Sequence, residues 1–222
     1  MLSTQNENTP VQDSMQALLE TYARLKGANN IMPKMLEIFN NKHIDFLSRV
    51  KRLDEIMAEE PAYEPLSEII FDLLMVQFLA AEPHKETYFD SPEWQHIEDE
   101  TISRGTELLN LLLYISDANE ADAEISLDDF LNEFLLVDTD EFQDEYKIYE
   151  ELIRNTELME AELSSVKQIQ SAMKEDAELK DIFTPLVLFF QNPYNELPPP
   201  AESNLSAYEA SVLNCLWGYN KG

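Results

Sequence analysis

The chain has 222 residues, 44% hydrophobic and 27% charged, a balance that excludes a disordered polymer and suits one sizeable domain or two small ones. Forty-four acidic residues against 15 Lys and Arg give a formal net charge of −29, a field that repels nucleic-acid phosphates and anionic membranes and favours basic partners or cations. With only 4 glycines and no GxGxxG or phosphate-loop pattern, the composition argues against a sheet-rich fold and against phosphate-cradling chemistry.

In chain order, the pattern is helical almost throughout. Pro10 stands at a first helical position, and Met15, Leu18, Leu19, Tyr22 and Leu25 follow at three-to-four spacing before Gly27. Two further helices are predicted over about 33–41 and 44–59, the second stopped by Pro61. Residues 66–81 are apolar on nearly every side and predict a central helix. Ser91-Pro92 opens a helix expected to run to about Tyr114, with Gly105 as a candidate kink or break and an apolar second half, 106–115. A short helix is predicted from Leu127, and a long polar-rich one from about Asp140 to Lys174 with a narrow apolar stripe. An apolar segment at 179–190 carries Thr184-Pro185 as a kink or boundary. After a proline-rich connection, Ser206 and Glu209 form a capping box ahead of a last helix. The expected fold is all-α, with eight to ten mostly antiparallel helices in a single domain over 1–222, or in subdomains 1–115 and 126–222.

Charge is unevenly placed. Residues 1–52 carry a net +2 and residues 53–222 a net −31; between Arg104 and Lys147 there are thirteen acids and no Lys or Arg. Within that run, "AEISLDDF" is similar to the exit of an EF-hand loop, with Ile125 at the apolar position and Asp129 as the last ligand. In that frame Glu120 and Asp122 take the third and fifth positions. Ala118 stands where the first ligand belongs, and Ala123 where the turn requires glycine. The competing account is a helix–loop–helix junction in which Ser126 caps the next helix, with Asp128 and Asp129 at its positive end.

Glu93 and His96 match half of the Glu-x-x-His pattern of di-iron bundles, but neither His43 nor His84 supplies the second half. Glu93, His96, Asp122 and Asp129 are therefore the only metal candidates, and no cofactor is implied. The lone Cys215 lies in an apolar helix and reads as a buried structural thiol. No G-x-S-x-G is present, and the abundance of carboxylates singles out no catalytic pair. Arg49, Lys51 and Arg52 sit beside Asp54 and Glu55, as in an internal ion-pair region. Two aromatic groups, Tyr88–Phe89–Trp94 and Tyr194–Trp217–Tyr219, are either core or partner anchors.

The expectation is a non-enzymatic acidic helical protein, an adaptor, assembly chaperone or inhibitor that engages a basic protein surface through Asp117, Glu120, Asp122, Glu124, Asp128, Asp138 and Asp140. A nucleic-acid mimic and a metal- or ligand-binding helical protein are the alternatives. Direct nucleic-acid binding and membrane association are not expected. The first residues carry no leader pattern and the apolar runs are short and interrupted, so a cytoplasmic location is expected.

Overall fold

The computed structural model describes residues 10–41, 43–81, 88–134, 142–155, 157–197 and 204–221, and among them the chain is all-helical. The first helix, α1 (Pro10–Lys26), buries Val11, Met15, Leu18, Leu19 and Tyr22, the stripe read from the sequence. It closes with a Schellman turn, Ala28 N–H donating to the Ala23 carbonyl at 3.1 Å. Helices α2 (Met32–Asn40) and α3 (Phe46–Glu59) follow, and the Asp45 side chain caps α3 by accepting from Ser48 N–H at 2.8 Å. A 3-10 turn, Pro61–Leu66, leads into α4 (Ser67–Ala81), which buries every residue from Ile69 to Val76.

The remaining helices are α5 (Pro92–Thr101), α6 (Leu108–Glu120), α7 (Leu127–Phe134), α8 (Phe142–Arg154), α9 (Leu163–Ala172), α10 (Phe183–Gln191) and α11 (Ala207–Asn220). A second 3-10 turn, Leu158–Glu160, lies between α8 and α9. Eleven α-helices among the described residues exceed the expected eight to ten, because two predicted helices are broken.

The first break separates α5 from α6. Gly105 adopts φ +87°, and its N–H donates to Glu68 Oε2 at 2.7 Å. Thr106 N–H donates to Asp72 Oδ1 at 3.1 Å, and its hydroxyl to Asp72 Oδ2 at 2.7 Å. Two carboxylates one turn apart on α4 thus take the amides that a continuous helix would have used internally. The second break divides the long helix expected over 140–174. Asn155 turns its amide back to the Glu151 carbonyl at 2.6 Å, in competition with the backbone ladder. Gln191 then donates to the carbonyls of Leu158 (2.6 Å) and Ala161 (2.9 Å), and Leu158 is buried in the core.

The core is one contiguous apolar cluster from Val11 to Tyr219, shared by the halves on either side of the 116–126 junction. The predicted central helices, α4 and α6, pack on each other within it. So do α10, buried from Phe183 through Phe190, and α11, which lies along α1 and against α10 and α6. Pro185 is accommodated in the first turn of α10, where a backbone N–H has no intrahelical partner to lose. Ser206 and Glu209 form the capping box of α11, as the sequence predicts. A Cβ on Gly218 would stand 3.0 Å from the Asp13 carbonyl oxygen, so α11 meets α1 more closely than a side chain there allows. Among the described residues no helix is long and apolar enough to cross a membrane.

Candidate functional site: an acidic helix junction and its groove

The junction between α6 and α7 is the most informative acidic segment. Helix α6 continues five residues beyond Ile115 and ends in a Schellman turn: Ala123 N–H donates to the Ala118 carbonyl at 2.8 Å and Asp122 N–H to that of Asn119 at 3.3 Å. The left-handed position is filled by Asp122 at φ +51°, a place where a short polar side chain is tolerated after glycine. The calcium frame from Ala118 to Asp129 therefore begins inside a helix and contains no twelve-residue loop. Asp129 is occupied as a cap partner, its N–H donating to Ser126 Oγ at 3.1 Å while that hydroxyl donates to Asp129 Oδ2 at 2.9 Å.

Two tyrosines hold the connecting backbone. Tyr114 Oη accepts from Ser126 N–H at 3.0 Å and donates to the Ser126 carbonyl at 3.1 Å, and Tyr194 Oη accepts from Ile125 N–H at 3.2 Å. Ile125, Leu127, Phe130 and Leu131 turn into the core. Apart from Asp129 in the Ser126 cap, the junction is seated without using its carboxylates.

Those carboxylates face solvent. Asp117, Glu120, Asp122, Glu124 and Asp128 are all exposed, and none enters an ion pair with a described residue. Asp117 and Glu120 lie at the negative end of the α6 dipole, where an acid costs about 0.3–1 kcal/mol, so their placement does not serve helix stability. Asp128 and Asp129, in the first turn of α7, have the favourable placement. Partial burial, and secondarily the nearby Asp117 charge, push the Glu133 carboxyl above its ordinary range. Asp138 and Asp140 lie outside the described residues.

Beside the acids runs a groove. A cavity of about 340 Å³ is lined by Ile125, Leu127, Met159 and Phe190, with Glu124 and Asp128 at its edge and Tyr194 beside it. Leu127, Asp128 and Met159 also line a second cavity of about 480 Å³, which extends along Leu131, Ile153 and Leu158. The two cavities share Leu127, Asp128 and Met159 and together make a trough alongside α7.

No family model, curated protein or solved structure matches this chain.

The other sequence candidates fall apart or serve structure. Glu93 and His96 are exposed on α5, and among the described residues no group of three or more His, Cys, Asp or Glu is placed to hold a metal ion. Asp122 and Asp129 have the backbone roles given above. Cys215 is fully buried; burial pushes its thiol up to about 12, and Ser14 Oγ lies 3.0 Å from its sulfur. Arg52 pairs with Glu55 at 2.8 Å, while Asp54 pairs with Arg104 at 2.9 Å. Trp217 and Tyr219 are core, and Trp217 Nε1–H donates to the Asn192 carbonyl. Among the described residues Phe89 and Tyr194 are the exposed aromatics, at 42% and 48% exposure.

Sequence reasoning missed Asp72, Tyr114 and Gln191. Asp72 is fully buried, and desolvation raises its carboxyl well above the usual range against the opposing pull of the Thr106 donors. Its signal was visible: a single acid inside "IIFDLLMV". Tyr114 and Gln191 had no such signal, because each acts on backbone distant in sequence.

Proposed function

We propose that the protein is a non-enzymatic interaction module whose acidic face at the α6–α7 junction engages a basic protein surface, as an adaptor, assembly chaperone or inhibitor does. The observation that carries this reading is the set of five exposed carboxylates, Asp117, Glu120, Asp122, Glu124 and Asp128, with no ion pair to any described residue and partly on a helix end that disfavours them. Such a field accelerates encounter with a cationic partner and fixes its orientation, while packing supplies the residence time. The single buried thiol accords with a reducing compartment, the cytoplasm.

The test uses a panel of Lys/Arg-rich proteins and a variant with Asp117→Asn, Glu120→Gln, Asp122→Asn, Glu124→Gln and Asp128→Asn. Association with at least one basic protein should slow steeply as salt rises past about 0.15 M, where the Debye length is about 8 Å. The variant should bind more slowly and lose most of that salt dependence. Equal association rates for the two proteins at low salt would refute the reading.

A further inference from the structure

We infer that the trough beside α7 is a docking site for a partner segment bearing apolar side chains at helical spacing flanked by Lys or Arg. This rests on the acidic-face reading above and gives it a specific seat.

Three observations carry it. The trough's lining mixes apolar Ile125, Leu127, Met159 and Phe190 with polar Ser126 and Gln191, and includes the exposed acids Glu124 and Asp128. That combination matches a segment that is apolar on one side and cationic at its margins. Next, two apolar residues stand out into solvent in the turn beside it: Tyr194 at 48% and Leu197 at 62% exposure. They are not loosely tethered. Asn192 Oδ1 accepts from Glu196 N–H at 2.9 Å and from Leu197 N–H at 3.2 Å, its Nδ2 donates to the Leu197 carbonyl at 3.0 Å, and Tyr194 Oη is fixed on Ile125 N–H. An exposed apolar pair held in place has already lost much of the ordering entropy that binding would otherwise cost.

Charge decides among occupants. A second copy of this chain carries −29 and would bring like charge to the acidic edge, and an anionic lipid surface is repelled for the same reason. A cationic segment is attracted. The Lys or Arg flanks meet the α6–α7 carboxylates, and the apolar side chains enter the trough between α7 and the 158–161 turn.

The experiment is selection of a random peptide display library on the intact protein, followed by affinity measurement on the enriched peptides as synthetic ligands. Three single variants, Tyr194→Ala, Leu197→Ser and Met159→Lys, are compared with wild type after thermal melting has shown each to be folded. Leu197 is exposed enough that its replacement leaves the core untouched. The expected result is enrichment of peptides combining Lys or Arg with apolar residues at three-to-four spacing, each bound at least tenfold more weakly by the variants. Enriched peptides that are basic but lack apolar anchors, or that bind wild type and variants alike, overturn the trough and leave the acidic-face reading standing. Neutral or acidic enriched peptides overturn both. An empty selection overturns the trough, and the salt-dependence experiment then decides the acidic face by itself.

Discussion

Phe130 is the residue on which the seating of α7 depends, and its removal gives the sharpest test of how the junction is built. Its side chain is fully buried and meets three rings, Tyr114, Tyr149 and Phe190, each with centroids 5.5 Å away. Truncating a buried phenylalanine to alanine costs about 3–5 kcal/mol. Each aromatic contact adds about 0.5–1.5 kcal/mol beyond area, which places Phe130→Ala near the top of that range, about 4–5 kcal/mol. For a chain of this size the melting temperature then falls by about 8–20 °C. Phe130→Leu keeps most of the volume and loses the ring geometry, and should cost about 1–2 kcal/mol. Phe89→Ala, at 42% exposure, is the reference and should cost less than about 1 kcal/mol. Urea titration gives the free energies and calorimetry the melting temperatures. If Phe130→Ala costs less than about 2 kcal/mol, or no more than Phe89→Ala, α7 is not keyed into the core as described.

Asp72 sets a pH dependence. Its folded pKa is raised, so over the window between its unfolded value and the raised one the folded chain holds a proton that the unfolded chain has released. This contribution favours folding fully below the unfolded value of about 3.9 and is lost as pH rises through the folded one. Asp72→Asn should therefore flatten the decline of the urea midpoint as pH rises above the unfolded value, and an unchanged or steeper slope would count against the assignment. Gly105→Ala places a Cβ 2.7 Å from Asp72 Oδ1 at φ +87°, and should destabilise by about 2–3 kcal/mol in the same titration; a variant indistinguishable from wild type would refute the close approach. Cys215, with its thiol pushed up to about 12, should react with a thiol reagent at the rate of unfolding, so rapid labelling in native buffer would contradict its burial.

Periodicity made the helices legible where each had a face to bury. It identified α1, α3 and α4 closely and placed the caps of α7 and α11, since Ser126 and Ser206 act within three residues of themselves. It failed where a helix was ended by groups elsewhere in the chain. Gly105, at φ +87°, marked the place of the break locally, but the partners that hold it open were not legible: the amides of Gly105 and Thr106 are drawn off by Glu68 and Asp72, more than thirty positions earlier. The split of 140–174 depends likewise on Gln191, which bonds carbonyls 30 and 33 positions away. The acidic run was legible as charge and as a helix–loop–helix junction capped by Ser126; that α6 ends there in a Schellman turn rested on backbone geometry at Asp122. The trough was not legible at all, since its floor joins residues from 125–131, 153–159 and 190.

The pairing of α1 with α11 has a consequence for how the chain is made. Ser14 Oγ donates to the Cys215 carbonyl across 201 positions, and α11 lies along α1. At about 5–20 residues per second, α1 emerges from the ribosome roughly 10–40 s before the helix that covers it. Throughout that interval Met15, Leu18 and Leu19 have no α11 to pack against. Final burial of the α1 face is therefore a late event of synthesis, completed only when Ala207–Asn220 arrives.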